Sequence, residues 1–179
     1  MWLPHSHQAQ LCSFWGMAGF CRIWVPNFGL IAKPLYEATR GPENELMEWT
    51  PEMRKAFAKL KQVLTQAPAL GIPDLIKAFS LYVAEKRGIA VGVLAQKLGS
   101  EPRPTAYFSK KLDGVASGWP SCLRAIAATA MLVEEATKIT LSQSLEVLTP
   151  HQVKSVLEIK GHIWVMGERL TKYQAVLLD

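Results

Sequence analysis

The feature that most constrains this chain is a change of hydrophobic period across a breaker-rich segment, Ala67-Pro68-Ala69-Leu70-Gly71-Ile72-Pro73-Asp74. Two prolines and a glycine in so short a run continue neither a helix nor a central strand, so the segment reads as a connector between two packed units. Before it, apolar residues recur at helical spacing; after it, they alternate as in a half-buried strand. A chain of 179 residues, 49% hydrophobic and 20% charged, has the material for a real core. The expectation is a small helical subdomain over 1–70 and a mixed α/β (α+β) domain over 71–179.

In the first part, Leu11, Phe14, Trp15, Ala18 and Phe20 predict a helix over Gln8 to Arg22 that Pro26 stops or redirects. A second helix is expected from Phe28 to Ala38, with Pro34 positioned to split it. The clearest helix starts at Thr50, whose hydroxyl can cap free amides, with Pro51 in the first helical position and Glu52 facing the positive end of the dipole. Met53, Phe57, Leu60, Val63 and Leu64 fall on one face of it. Arg54, Lys55, Lys59 and Lys61 lie elsewhere on the helix and read as a solvated surface rather than a phosphate site.

In the second part, Phe79, Leu81 and Val83 alternate with Ser80, Tyr82 and Ala84. Val91 to Gln96 and Thr105 to Ser109 are two further strands, separated by Gly99-Ser100-Glu101-Pro102. Short connections predict antiparallel pairing. A helix from Ser121 to Thr137 is apolar around most of its circumference and belongs inside the fold. Leu145 to Leu148 follows as a strand free to pair parallel, then helices over His151 to Leu157 and Glu168 to Leu178. Three strands, helix, strand, helix is the order of an RNase H-like domain with a mixed central sheet, and equally of several other α/β folds.

The net charge of +5 and pI near 9.2 favour approach to a polyanion, and they equally suit a mildly basic solvated surface. Cys12, Cys21 and Cys122 are odd in number and lack CxxC spacing, which points away from a disulfide framework or zinc knuckle and towards a reducing intracellular setting, cytoplasmic or nuclear. The N-terminal residues lack the cationic and apolar stretches of a secretory signal, and no apolar run reaches membrane-spanning length. His5, His7, His151 and His162 have no partner spacing that suggests a metal site, and no Gly-rich phosphate loop is present. No cofactor is expected.

The wording of the sequence is more specific than its periodicity. Gly19-Phe20-Cys21-Arg22, Trp24, Pro26, Phe28 and Pro34-Leu35-Tyr36 resemble the thumb of gammaretroviral reverse transcriptases, and the connector Ala67 to Asp74 resembles that family's join between thumb and connection. The likeness continues through Gly92-Val93-Leu94-Ala95-Gln96-Lys97-Leu98-Gly99, Ser109-Lys110-Lys111-Leu112-Asp113 and Gly118-Trp119-Pro120 to Leu177-Leu178-Asp179. It implies that 1–70 is thumb-like and 71–179 an RNase H-like connection domain of an endogenous retroviral pol polyprotein. Fingers and palm would then precede residue 1, and the catalytic RNase H domain would follow residue 179.

That resemblance also sets expectations for chemistry. RNase H catalysis needs several carboxylates converging on two metal ions. Where this domain is the working nuclease in related retroelements, the first strand ends in a motif like Thr-Asp-Ala-Ser; here Ala84 stands at the aspartate's position. Glu85 is adjacent, but one residue along a strand points to the opposite face. The long helix carries Arg124 where an acid would be needed, and Pro150 replaces the aspartate of a Thr-Asp-His motif. These three positions predict a degenerate site with no catalytic residue and no bound metal, so that the isolated chain is not an enzyme; a residual nuclease is the weaker alternative. The remaining role is sequence-independent contact with RNA-DNA or DNA duplex through Lys86, Arg87, Lys97, Arg103, Lys110 and Lys111, with Arg22 and Lys33 from the thumb-like part. The competing readings are an interaction module for other pol-derived domains, exposing Trp24, Trp49, Trp119 and Trp164, and an inactive endogenous remnant.

Overall fold

The computed structural model describes Phe14, residues 16–39, 48–141, 143–150, Val153 and residues 168–178. Cys12, Trp164, the four histidines and all but Val153 of the expected helix over 151–157 lie outside them. By internal contacts the chain divides into two units, Met1–Ala69 and Leu70–Asp179.

In the first unit, residues 16–20 are helical and tighten into a 3-10 turn at Cys21–Trp24. Pro26 follows, and Asn27 takes a left-handed conformation (φ 56°) from which its carbonyl accepts the amides of Leu30 and Ile31. Asparagine tolerates that region better than most residues. Helix α1 (Phe28–Ala38) then runs through Pro34 without splitting, contrary to expectation. Pro34 forfeits a single backbone bond, and burial of Phe28, Ala32 and Leu35 on one face holds the helix together around it.

Helix α2 (Pro51–Thr65) begins as predicted: the Thr50 hydroxyl accepts the Met53 amide at 3.3 Å and Pro51 opens the first turn. The capping network, led by a backbone hydrogen bond to Glu52 and then one from Thr50, holds the Glu52 carboxyl below its usual range. Met53, Ala56, Phe57 and Leu60 are buried. Phe57 is met edge-on by Phe14 (centroids 4.9 Å apart) and Trp49 (5.4 Å), and Lys61 Nζ lies 4.7 Å from its ring centroid. Trp49 is therefore a half-buried part of this core, not an exposed apolar patch.

The second unit is a four-stranded sheet of order β3-β2-β1-β4, formed by β1 (Phe79–Lys86), β2 (Ile89–Leu98), β3 (Glu101–Lys111) and β4 (Leu145–Leu148). The first three strands pair antiparallel, and β4 joins β1 in parallel. Arg87 (φ 55°) and Gly88 (φ 77°) make the two-residue turn between β1 and β2, where positive φ at both positions matches the twist of the flanking strands. β2 and β3 extend beyond the predicted limits, leaving Gly99 and Ser100 as the turn. Pro102 and Pro104 enter β3 because it is an edge strand, where a missing N–H interrupts no second ladder.

A short helix α3 (Gly114–Ser117), capped by Asp113, leads into α4 (Ser121–Thr140), which outlasts its predicted end by three residues. One face of α4 packs through Ala127, Ala128, Leu132 and Ala136 onto Phe79, Leu81, Val83, Ala90, Leu94, Ala106 and Phe108. The approach is closest at Gly92, where an added Cβ would stand 2.7 Å from Leu132 Cδ1 and 3.0 Å from the Tyr82 carbonyl oxygen. Helix α5 (Glu168–Leu178) lies against α4, with Lys172 paired to Glu134 at 3.1 Å. Trp119 packs against the main core and meets Tyr173 edge-on, so it too is half-buried. No described helix is long and apolar enough to cross a membrane.

Candidate nucleic-acid interface

Strand register decides which of the basic residues share a face. Phe79, Leu81, Val83 and Glu85 of β1 turn towards α4, and Ser80, Tyr82, Ala84 and Lys86 turn away. Across the sheet on the away-facing side, Lys86, Ile89 and Lys111 form one row and Tyr82, Val93 and Tyr107 another. Lys86 and Lys111 are both exposed and flank Ile89, two strand spacings or roughly 10 Å apart. Arg87 is exposed in the adjoining turn.

The remaining basic candidates separate from this group. Lys97 shares the face but lies eight residues along β2 from Ile89, about 27 Å at the rise of an antiparallel strand. Arg103 pairs with Gln96 and so belongs to the α4 side, where its aliphatic stem covers Gly71. Lys110 also points to the α4 side, and its Nζ is 2.5 Å from Glu135 Oε1, which Lys138 reaches at 2.7 Å. Burial raises the affinity of the Glu135 carboxyl for a proton, but the hydrogen bonds and charges of Lys110 and Lys138 outweigh it, and its pKa lies below the usual value. In the first unit Arg22 is exposed in the 3-10 turn and Lys33 is half-buried on α1. The six residues of the second unit are therefore not one cluster, and no sequence signal links Lys110 to an acid 25 positions away.

At the carboxyl ends of β1 and β4 the three positions expected to be degenerate take different surroundings. Ala84 presents a methyl group on the away-facing side, and Pro150 leaves the sheet two residues past Leu148, the partner of Tyr82. Arg124, near the start of α4, is brought to Glu85 rather than to Ala84: its Nε lies 3.2 Å from Glu85 Oε2, with the Glu85 side chain 9% exposed. The pair is close but misaligned, since Arg124 Nε makes no hydrogen bond of good geometry. Glu85 Oε1 instead accepts the Gly88 amide at 2.6 Å, and Arg124 Nη1 donates to the Trp119 carbonyl at 3.3 Å. The glutamate thus fixes the turn and neutralises the guanidinium.

An RNase H fold implies two divalent ions at this end of the sheet. A methyl group, a proline ring and a carboxylate already tied to a guanidinium do not fit that requirement. Among the described residues, no three His, Cys, Asp or Glu side chains gather closely enough to hold a metal ion.

Residues 49–147 match the model of the RNase H-like domain found in reverse transcriptase. The chain is 50% identical over 176 residues to the Pol polyprotein of feline endogenous virus ECE1 and to the Gag-Pol polyprotein of baboon endogenous virus, covering 98% of its own length in each case. It is likewise 50% identical over 170 residues to the Gag-Pol polyprotein of koala retrovirus. It spans only 17% of the feline relative and 10% of the other two. Among solved structures, foamy viral protease-reverse transcriptase in complex with an RNA/DNA hybrid superposes at a TM-score of 0.84 with 22% identity, over 99% of this chain and 24% of that one. The same enzyme with double-stranded DNA, in its dRH form, gives 0.81 at 20% identity, over all of this chain and 31% of that one. These two likenesses establish a shared fold. With the family match extending over more than half of its residues, the chain belongs to the RNase H-like domains found in reverse transcriptase.

Proposed function

We propose that this chain is a duplex-holding segment of a retroviral reverse transcriptase, with a thumb-like first unit and a connection-like second unit, and that it cleaves no nucleic acid itself. The observation that carries the reading is the Glu85–Arg124 ion pair, at the strand end where an RNase H centre needs free acids. A carboxylate that binds a guanidinium and a backbone amide has little left to offer a cation, and Ala84 and Pro150 offer nothing. The foamy viral enzymes that share the fold are solved with double-stranded DNA and with an RNA/DNA hybrid, which supports duplex as the ligand. Lys86, Arg87 and Lys111 are the residues proposed to meet its phosphates. Contacts to phosphate carry no sequence information, which suits a surface over which any sequence must pass. Such a segment would act in the cytoplasm or nucleus, where the nucleic acid is.

The test is incubation of the purified chain with a labelled RNA-DNA hybrid in magnesium or manganese, alongside a binding titration at low salt. Binding without cleavage is the expected result. Cleavage that survives purification and disappears in Glu85→Gln would overturn the non-catalytic assignment, and absence of binding at low salt would overturn the duplex-holding one.

A specific observation favours a second reading, docking of another protein. Phe14, Met17, Ala18, Phe20, Cys21, Trp24, Leu64 and Ala67 line an apolar cleft of about 450 Å³ in the first unit, with Met17 64% and Phe20 78% exposed. Among the described tryptophans first expected on such a surface, Trp24 alone lines this cleft. Light scattering over a concentration series distinguishes a self-associating chain from a monomer.

A further inference from the structure

Gln96 is 6% exposed near the end of the central strand β2, and its amide is fully engaged with the end of the connector and the residues just after it. Its Nε2 donates to the carbonyls of Asp74 (2.6 Å) and Lys77 (2.9 Å), and its Oε1 accepts the Asp74 amide (2.8 Å). Two donors and an acceptor on one planar group match three backbone groups some twenty residues away, which a carboxylate or an apolar side chain cannot do.

The same segment is held at other points. The Gly71 amide donates to the Pro104 carbonyl at 2.7 Å, and the Arg103 stem leaves no slack over Gly71. Asp74 closes the loop on itself, accepting the Ile76 amide on its side chain and the Lys77 amide on its carbonyl. The cost of this arrangement is visible in Ile72 and Ile76, which are 92% and 96% exposed. Satisfying the buried amide fixes the backbone path, and the isoleucines are left in water. Just before this anchored stretch, residues 67–69 are exposed and carry no regular structure, and the division between the two units falls between Ala69 and Leu70.

We propose that Gln96 is a clamp that fuses residues 71–77 to the sheet, so that the pivot between the two units is confined to residues 67–70. Much of the breaker-rich connector is then a rigid extension of the second unit, and only its first half is a joint. A chain that carries two units on one duplex gains from a short joint, because the span it must order on binding is small.

Amide hydrogen exchange on the whole chain, read residue by residue, tests this. In the unaltered protein the amides of Gly71, Asp74, Ile76 and Lys77 exchange slowly, within about tenfold of those in β2, while those of Ala67, Ala69 and Leu70 exchange at near-intrinsic rates. In Gln96→Met, which keeps length and removes all three hydrogen bonds, residues 71–77 exchange about 10- to 100-fold faster while β1, β2 and β3 keep their protection. Should that variant fail to fold, the unaltered chain still decides: fast exchange throughout 71–77 overturns the clamp. So does a folded Gln96→Met protein with unchanged protection there.

Discussion

Two lysines flanking Ile89 make a quantitative statement about salt. Each phosphate neutralised on duplex DNA releases counterions and adds roughly −0.9 to the slope of log affinity against log salt. If Lys86 and Lys111 each meet one phosphate, together they contribute about −1.8. A fourfold rise from 50 to 200 mM salt then weakens binding by about 12-fold through these two residues alone. Lys110 adds nothing to the slope, because Glu135 already neutralises it on the far side of the sheet. Fluorescence anisotropy with a labelled RNA-DNA hybrid across that salt range measures the slope directly. Lys86→Gln with Lys111→Gln should make it shallower by about 1.8, and Lys110→Gln should leave it within error of the unaltered protein. A double variant that keeps the original slope, or a Lys110→Gln effect as large as that of Lys111→Gln, would refute the assignment of faces on which the argument rests.

Gly92→Ala should destabilise the sheet unit by about 1–3 kcal/mol in urea titration, because its methyl group has no room between Leu132 and the Tyr82 carbonyl. Adding Leu132→Ala should cost less than the sum of the two single changes, since the deletion makes the missing space; strict additivity would argue against this contact. Glu135, whose pKa is lowered in the folded state, contributes stability that is present above its unfolded value near 4.5 and is lost as pH falls through the folded value. Glu135→Gln should therefore lower stability at pH 7 by about 1–3 kcal/mol and flatten the acid limb of the stability curve, read by thermal unfolding from pH 7 to 3. An unchanged acid limb would show that the Lys110 and Lys138 contacts carry no net energy.

Much of the fold was legible in local sequence. The Thr50 cap with Pro51, the apolar face of α2, the alternation in β1 and the all-round apolarity of α4 are signals that depend on neighbours within a few positions. Element ends were less legible. Pro34 argued for a break in α1, and Pro102 argued for a turn, yet each is accommodated where packing or an edge position makes the lost hydrogen bond tolerable. The tryptophans misled in the same direction: read without its spatial neighbours, an aromatic residue looks exposed, whereas Trp49 and Trp119 have partners within their own units.

The candidate site divides similarly. That Ala84 and Pro150 cannot ligate a metal follows from residue identity, and so does the positive balance of the chain. Which cations face a ligand does not follow, because charge is available only when no acid is near, and nearness across a sheet is set by register. Glu135 reaches Lys110, and Arg124 reaches Glu85, only after α4 has been laid across the strands. The sequence by itself determined most of the elements, their order and the absence of a carboxylate at Ala84 and Pro150, since these reside in side-chain chemistry and short-range periodicity. Only the tertiary structure decided that Lys110 meets Glu135 and that the Gln96 amide meets the backbone of Asp74 and Lys77, because both depend on groups brought together from distant parts of the chain.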